Sequence, residues 1–223
     1  MIIKKAVIFD MDGVLVDSEK FWKQAEFEVF SSLEVNVTDE WCDETKSMTT
    51  PEVTKFWFEK FPWTGKKLEE VERMVVSKVI SLIENENCQI PGVKAFIETL
   101  KAQNFKIGLA TNSPSVVIPA VLNKLGIHHL FDAVSSAEFE PKGKPDPSIY
   151  YTTAGKLNVK PEECFVIEDS YSGMLAAKHA GMTVIAFTNG NAQLNFEIAD
   201  HRIENFEDAH LNILDKAFIY PLN

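Results

Sequence analysis

The stretch Ala6-Val7-Ile8-Phe9-Asp10-Met11-Asp12-Gly13 sets a short apolar run directly against two carboxylates and a glycine. Consecutive apolar residues rich in β-branched and aromatic types, bounded by polar ones, read as a strand buried on both faces. What ends the run is as informative as the run itself. Asp10 and Asp12 sit two residues apart on a chain that reverses at Gly13, so both can approach one point beyond the carboxyl end of the strand.

The arrangement recurs further along. Ile107 to Ala110 closes with Thr111-Asn112-Ser113, Phe165 to Ile167 closes with Glu168-Asp169-Ser170, and Val184 to Phe187 makes a fourth run. Ala133 to Ser135 offers a weaker strand. Helix-like stretches at Val93 to Gln103, Pro147 to Asn158 and Ser170 to Ala180 alternate with these runs. That alternation predicts an α/β fold, a parallel sheet joined by right-handed crossovers. Pro91-Gly92 breaks the chain before one helix, and Gly126 and Gly181 stand where C-terminal caps belong. Pro119 either falls in the first turn of a helix starting near Ser115 or delays that helix by a few residues.

Residues 18–87 have a different character. Phe21, Trp22, Ala25, Val29, Phe30 and Leu33 recur at helical spacing, and so do Val71, Met74, Val75, Val79, Leu82 and Ile83. No strand pattern interrupts them, and all four tryptophans (Trp22, Trp41, Trp57, Trp63) fall here. The segment reads as a helical domain, 18–87, inserted into a catalytic core made of 1–17 and 88–223.

Composition narrows the function. A net charge of -11 argues against nucleic acid and against an anionic membrane surface, both of which call for clustered Lys and Arg. No apolar run approaches the ~20 residues of a transmembrane helix, and the N-terminal apolar stretch is too short for a signal peptide. Cys42, Cys88 and Cys164 are widely spaced and odd in number, which predicts buried reduced thiols in a cytoplasmic protein. A monomer is expected. The five histidines include no i, i+4 pair, so a histidine-built zinc site has little support.

In an open parallel sheet, ligands bind outside the carboxyl ends of the strands. Here three strand ends carry hydroxyls and carboxylates to one edge. Asp10, Asp12 and Asp169 together offer hard oxygen ligands suited to Mg2+, Asp12 by side chain or backbone carbonyl. Without a cation, acids so gathered would raise one another's pKa. The chemistry that fits is hydrolysis of a phosphate monoester. Asp10 is placed to attack phosphorus, and Asp12 to protonate the leaving oxygen and later activate water. Thr111, the turn begun by Asn112, and Lys144 in Lys142-Gly143-Lys144-Pro145-Asp146-Pro147 supply hydroxyl, backbone N–H and charge to the phosphoryl oxygens.

Four runs then resemble one family, the haloacid dehalogenase-like superfamily. They are Asp10-Met-Asp12-Gly-Val-Leu-Val-Asp-Ser18, Leu109-Ala-Thr111-Asn-Ser113, Gly143-Lys144-Pro-Asp-Pro147 and Ile167-Glu168-Asp169-Ser-Tyr-Ser-Gly173. The resemblance implies a Rossmann-like core with a helical cap, Asp10 as nucleophile and Asp12 as general acid/base. It implies phosphate binding by Thr111 and Lys144. It also implies magnesium held by Asp10, the Asp12 backbone carbonyl and Asp169, with Glu168 as a further ligand or a supporting partner.

Within the superfamily the chain looks like the sugar-phosphate branch that contains β-phosphoglucomutase and the hexitol and 2-deoxyglucose-6-phosphate phosphatases. Phe61-Pro-Trp63-Thr-Gly65 is similar to the phosphatase members. Trp22 stands about where mutases carry a cap histidine, and Thr49 near a cap arginine common in the branch. The expected activity is therefore hydrolysis of small sugar or sugar-alcohol phosphates. A phosphosugar mutase and a non-catalytic phosphate-binding module are the alternatives.

Overall fold

The computed structural model describes residues 4–38, 44–45, 48–191 and 195–207. Trp41 and Cys42 lie outside the described residues. Strands β1 (Ala6–Phe9), β2 (Lys106–Thr111), β3 (Ala133–Ser136), β4 (Cys164–Glu168), β5 (Thr183–Phe187) and β6 (His201–Ile203) form a six-stranded sheet in the order β3-β2-β1-β4-β5-β6. Every pairing is parallel. The chain adds β2 and β3 on one side of β1 and then returns to place β4 on the other. The crevice between β1 and β4 is therefore the switch point of the sheet.

Helices α4 (Val93–Ala102) and α5 (Val117–Leu125) cover one face of the sheet, and α6 (Ser148–Lys156) and α7 (Tyr171–His179) the other. The strand pleat decides which residues each pair meets. Val7, Phe9, Ile107, Leu109, Phe165 and Ile167 join α4 and α5, while Ala6, Ile8, Ala110, Val166 and Val184 join α6 and α7. This is the α/β, Rossmann-like arrangement expected from the sequence. Gly126 caps α5 in the left-handed region at φ +62°, and Pro119 falls within the first turn of that helix. β6 is an addition that the sequence pattern did not suggest.

Between β1 and α4 the chain forms α1 (Glu19–Ser31), α2 (Thr50–Lys60) and α3 (Leu68–Asn85). Phe21, Ala25, Val29 and Phe30 of α1 are buried, as are Val71, Val75, Val79 and Ile83 of α3, and the two helices pack together. Glu28 and Lys78 pair across them at 2.6 Å. Phe30 meets Trp57 and Trp63 at ring distances of 5.7 and 6.0 Å.

The segments leading into and out of this helical region run side by side. Asp17 N–H donates to the Cys88 carbonyl at 2.7 Å, and Ile90 N–H to Leu15 at 3.2 Å. Cys88 and Cys164 are free and buried. Among the described residues no helix is long and apolar enough to cross a membrane.

Candidate active site

Asp10 follows β1 directly, and its N–H donates to the Ile167 carbonyl of β4 at 3.0 Å, extending the ladder by one bond. The chain then reverses. Gly13 adopts φ +79°, a conformation that L side chains rarely take, and its N–H donates to Val16 at 2.7 Å. A side chain at this position would also collide with the site, because a Cβ on Gly13 would lie 1.8 Å from Asp169 Oδ2.

Lys144 reaches the same point from the loop before α6. Its Nζ donates to Asp10 Oδ1 at 2.5 Å, to Glu168 Oε1 at 2.6 Å and to the Ala110 carbonyl at 2.8 Å. Asn112 Oδ1 accepts from the Lys144 N–H at 2.9 Å, which ties that loop to the end of β2. Lys144 and Glu168 are buried, and so is Asp10. Glu168 uses its remaining capacity on Tyr150 OH at 2.6 Å and Ser170 Oγ at 3.0 Å. Ser170 also caps α7, accepting from Gly173 N–H at 3.1 Å.

Asp12 is held from two sides. Oδ1 accepts from Ser18 Oγ at 2.5 Å and from the Trp22 indole N–H at 3.0 Å. Oδ2 accepts from Ser113 Oγ at 2.7 Å and, more weakly, from Thr111 Oγ1 at 3.4 Å. Ser113 is fixed in turn by Ser136, whose Oγ donates to the Ser113 carbonyl at 2.7 Å.

The electrostatics follow from too many carboxylates around one ammonium. Burial pushes the Asp10 carboxyl up to about 8 against the pull of Lys144, with Glu168 and Asp12 adding to the rise. Burial, then Asp10 and Glu168, hold Asp169 well above the ordinary carboxylate range. Although burial disfavours its charge, Lys144 is kept above its ordinary value by Asp10 and Glu168. Asp169 has no hydrogen bond or ion pair among the described residues. The donor set fits a hard divalent cation. The carboxylate oxygens of Asp10, Glu168 and Asp169 lie within 4.8 Å of one another, and all the ligands on offer are oxygen.

The structure thus brings Asp10, Asp12, Thr111, Asn112, Lys144, Glu168 and Asp169 to one edge of the sheet. Tyr150 and Trp22 touch the same groups and were not picked out for that contact from the sequence. Ser18 and Ser113 were read only as members of their runs. A hydroxyl beside each conspicuous acid was the available signal for those two.

The chain is similar to known proteins over most of its length. A family profile described as haloacid dehalogenase-like hydrolase matches residues 4–181. Hexitol phosphatase B of Escherichia coli (strain K12) is 37% identical over 207 residues, covering 91% of this chain and 93% of that one. Beta-phosphoglucomutase of Bacillus subtilis (strain 168) is 30% identical over 221 residues, covering 96% and 95%. The crystal structure of CbbY from Rhodobacter sphaeroides in complex with phosphate aligns with a TM-score of 0.86 at 23% identity, over 96% of this chain and 100% of that one, and shows a shared fold.

Proposed function

The chain belongs to the haloacid dehalogenase-like hydrolases and is an enzyme of the phosphatase type; on that premise we propose that it hydrolyses small sugar or sugar-alcohol phosphate monoesters through an aspartyl-phosphate on Asp10, with magnesium as cofactor. The observation that carries the reading is the grouping of Asp10, Asp12 and Asp169 around a buried Lys144 at the switch point of the sheet.

Asp10, the Asp12 backbone carbonyl and Asp169 would hold the cation. When bound, magnesium supplies positive charge to the phosphoryl oxygens and to the crowded acids. Asp10 attacks phosphorus, forming the aspartyl O–P bond as the ester O–P bond breaks. Asp12 gives its proton to the leaving oxygen. In the second step Asp12 takes a proton from water, which attacks the same phosphorus and frees Asp10 and phosphate. Thr111, the backbone N–H groups around Asn112 and the Lys144 ammonium bind the phosphoryl oxygens. Glu168 spends its acceptors on Lys144, Tyr150 and Ser170, which supports a part in orienting Lys144.

Residues 18–87 act as a cap over the core of 1–17 and 88–223. The paired segments at Asp17 and Cys88 form its neck. The substrate class rests on the likeness to a hexitol phosphatase together with Trp22, which occupies Asp12 where a mutase would place a histidine. With a net charge of -11 the partner is a small ester rather than nucleic acid or a membrane, and the working form is a cytoplasmic monomer.

Phosphate release from hexitol, hexose, pentose and two-carbon phosphates, with magnesium and with chelator, tests the reading. Release should need magnesium, favour one sugar or polyol ester, and fall by at least ~10³-fold in Asp10→Asn. A folded, magnesium-loaded chain that releases nothing would sink the phosphatase reading. An isomerised product that needs a bisphosphate activator would move it to a mutase.

A further inference from the structure

Trp22 and Glu26 stand four residues apart on α1, so their side chains lie one above the other on the same face of the helix. The lower of the two touches Asp12 through its indole N–H at 3.0 Å. The next residue on this stripe, Phe30, packs against Trp57 and Trp63. Glu26 is therefore a carboxylate set between aromatic side chains, half-buried, with no hydrogen bond or ion pair among the described residues. The other charged groups of this helix behave differently. Lys23 lies 3.3 Å from Glu19, and Glu28 pairs with Lys78, all on more open faces.

A half-buried carboxylate without a donor is costly to keep unless something supplies one. Burial pushes the Glu26 carboxyl up to about 7, the mark of a group that nothing in the chain compensates. Four residues of helix rise about 6 Å. Since Asp12 marks the leaving oxygen, Glu26 lies about one hexitol chain's reach beyond it.

A second observation bears on charge. Thr49, at the start of α2, lies over the Lys144 loop, for a Cβ on Gly143 would come within 2.7 Å of Thr49 Cγ2. The positive end of a helix there would suit an anion. It is already taken: Glu52 accepts from Thr49 N–H and from Thr49 Oγ1, each at 2.7 Å.

We propose that Trp22 and Glu26 form the leaving-group subsite, Trp22 lying along the carbon skeleton and the Glu26 carboxylate accepting from distal hydroxyls. The subsite selects esters whose leaving group is uncharged and polyhydroxylated, and turns away those with a second phosphate or a carboxylate. This rests on the phosphatase reading of the site. It adds a substrate class and the residue that sets it.

The test is steady-state kinetics on a hexitol 6-phosphate, phosphoglycolate, a hexose bisphosphate and p-nitrophenyl phosphate, with magnesium. Wild type should prefer the hexitol ester to either anionic substrate by at least ~10-fold in kcat/KM. Glu26→Leu should lower the hexitol to p-nitrophenyl ratio by ~10- to 100-fold, mostly through KM, with Glu26→Gln between it and wild type. Glu26→Lys should raise the phosphoglycolate to hexitol ratio by ~10-fold or more. The Gln variant keeps the side-chain volume and covers the case in which the Leu variant fails to fold. Unchanged ratios in folded Gln and Lys variants would overturn the subsite, as would a wild type that turns over hexitol phosphate and phosphoglycolate equally. Release from no ester at all, p-nitrophenyl phosphate included, would remove the phosphatase reading and the subsite with it.

Discussion

Gly173→Ala adds one methyl group in the first turn of α7, and the geometry makes it a severe change. The new Cβ would lie 1.9 Å from Glu168 Oε1, 2.1 Å from its Cδ and 2.3 Å from Oε2. A flexible side chain would step aside, but Glu168 is fully buried and held by Lys144, Tyr150 and Ser170. Moving it breaks the Lys144–Glu168 pair and strands one partner. Disrupting a buried ion pair from one side costs about 3–5 kcal/mol. For a chain of this size, at 2–4 °C per kcal/mol, Tm should drop by roughly 10 °C.

Lys144 would also lose the contact that aims it at Asp10, so phosphate release should fall by ~10²-fold or more. Gly155, inside α6 with nothing within 4 Å of a Cβ, is the matched control. Gly155→Ala should raise stability by about 0.5–1 kcal/mol. Calorimetry on the single variants and on Gly173→Ala/Glu168→Ala isolates the cause. If the collision is with Glu168, the methyl group costs almost nothing once that side chain is gone. Equal losses in both backgrounds, or a Gly173→Ala chain as stable as wild type, would refute the reasoning.

Two further outcomes follow from the acids and from the Trp22 contact. Asp10 and Asp169 have folded pKa values raised above the unfolded Asp value, so the folded chain binds their protons more tightly. Metal-free stability should fall as pH rises from about 4 through about 8, and magnesium should flatten that slope while binding more tightly toward pH 8, as thermal shifts with and without chelator will show. Trp22→Phe removes one hydrogen bond to Asp12 and keeps most of the ring. About 1 kcal/mol of positioning is at stake, so kcat should drop several-fold with the fold intact by circular dichroism.

The parts of the fold that were legible depend on local pattern alone. β1 and β4 are buried on both faces, so each shows as an apolar run without knowledge of its neighbours. Their polar endings then mark the site, since a parallel sheet puts all its carboxyl ends on one edge. Tyr150 escaped because its hydroxyl reaches Glu168 only through the way α6 packs on the sheet, which no periodicity encodes. The Trp22 bond depends on where α1 begins relative to the Gly13 turn. β6 is three residues long and opens with His201 and Arg202, so it carries no apolar run to read.

The contacts of Asp10 and Asp12 suit them to unequal tasks. Asp10 is held wholly by the core, through Lys144 and the backbone bond to Ile167. A nucleophile gains from such rigidity, because small errors in the line of attack are expensive. Asp12 is held by both parts of the chain. A carboxylate accepts about four hydrogen bonds, and Ser18, Trp22, Thr111 and Ser113 account for all of them. The acid/base role proposed for Asp12 therefore requires that one donor let go. Thr111, at 3.4 Å, is the weakest of the four and is also the hydroxyl assigned to phosphate. The donors to Oδ1, Ser18 and Trp22, stand at the start of α1, just beyond the Asp17–Cys88 pair, so a rotation about that neck moves them and leaves Thr111 and Ser113 in place. Asp12 must serve a leaving oxygen first and a water second, and a group whose restraints come partly from the moving part of the chain can do both without disturbing the nucleophile.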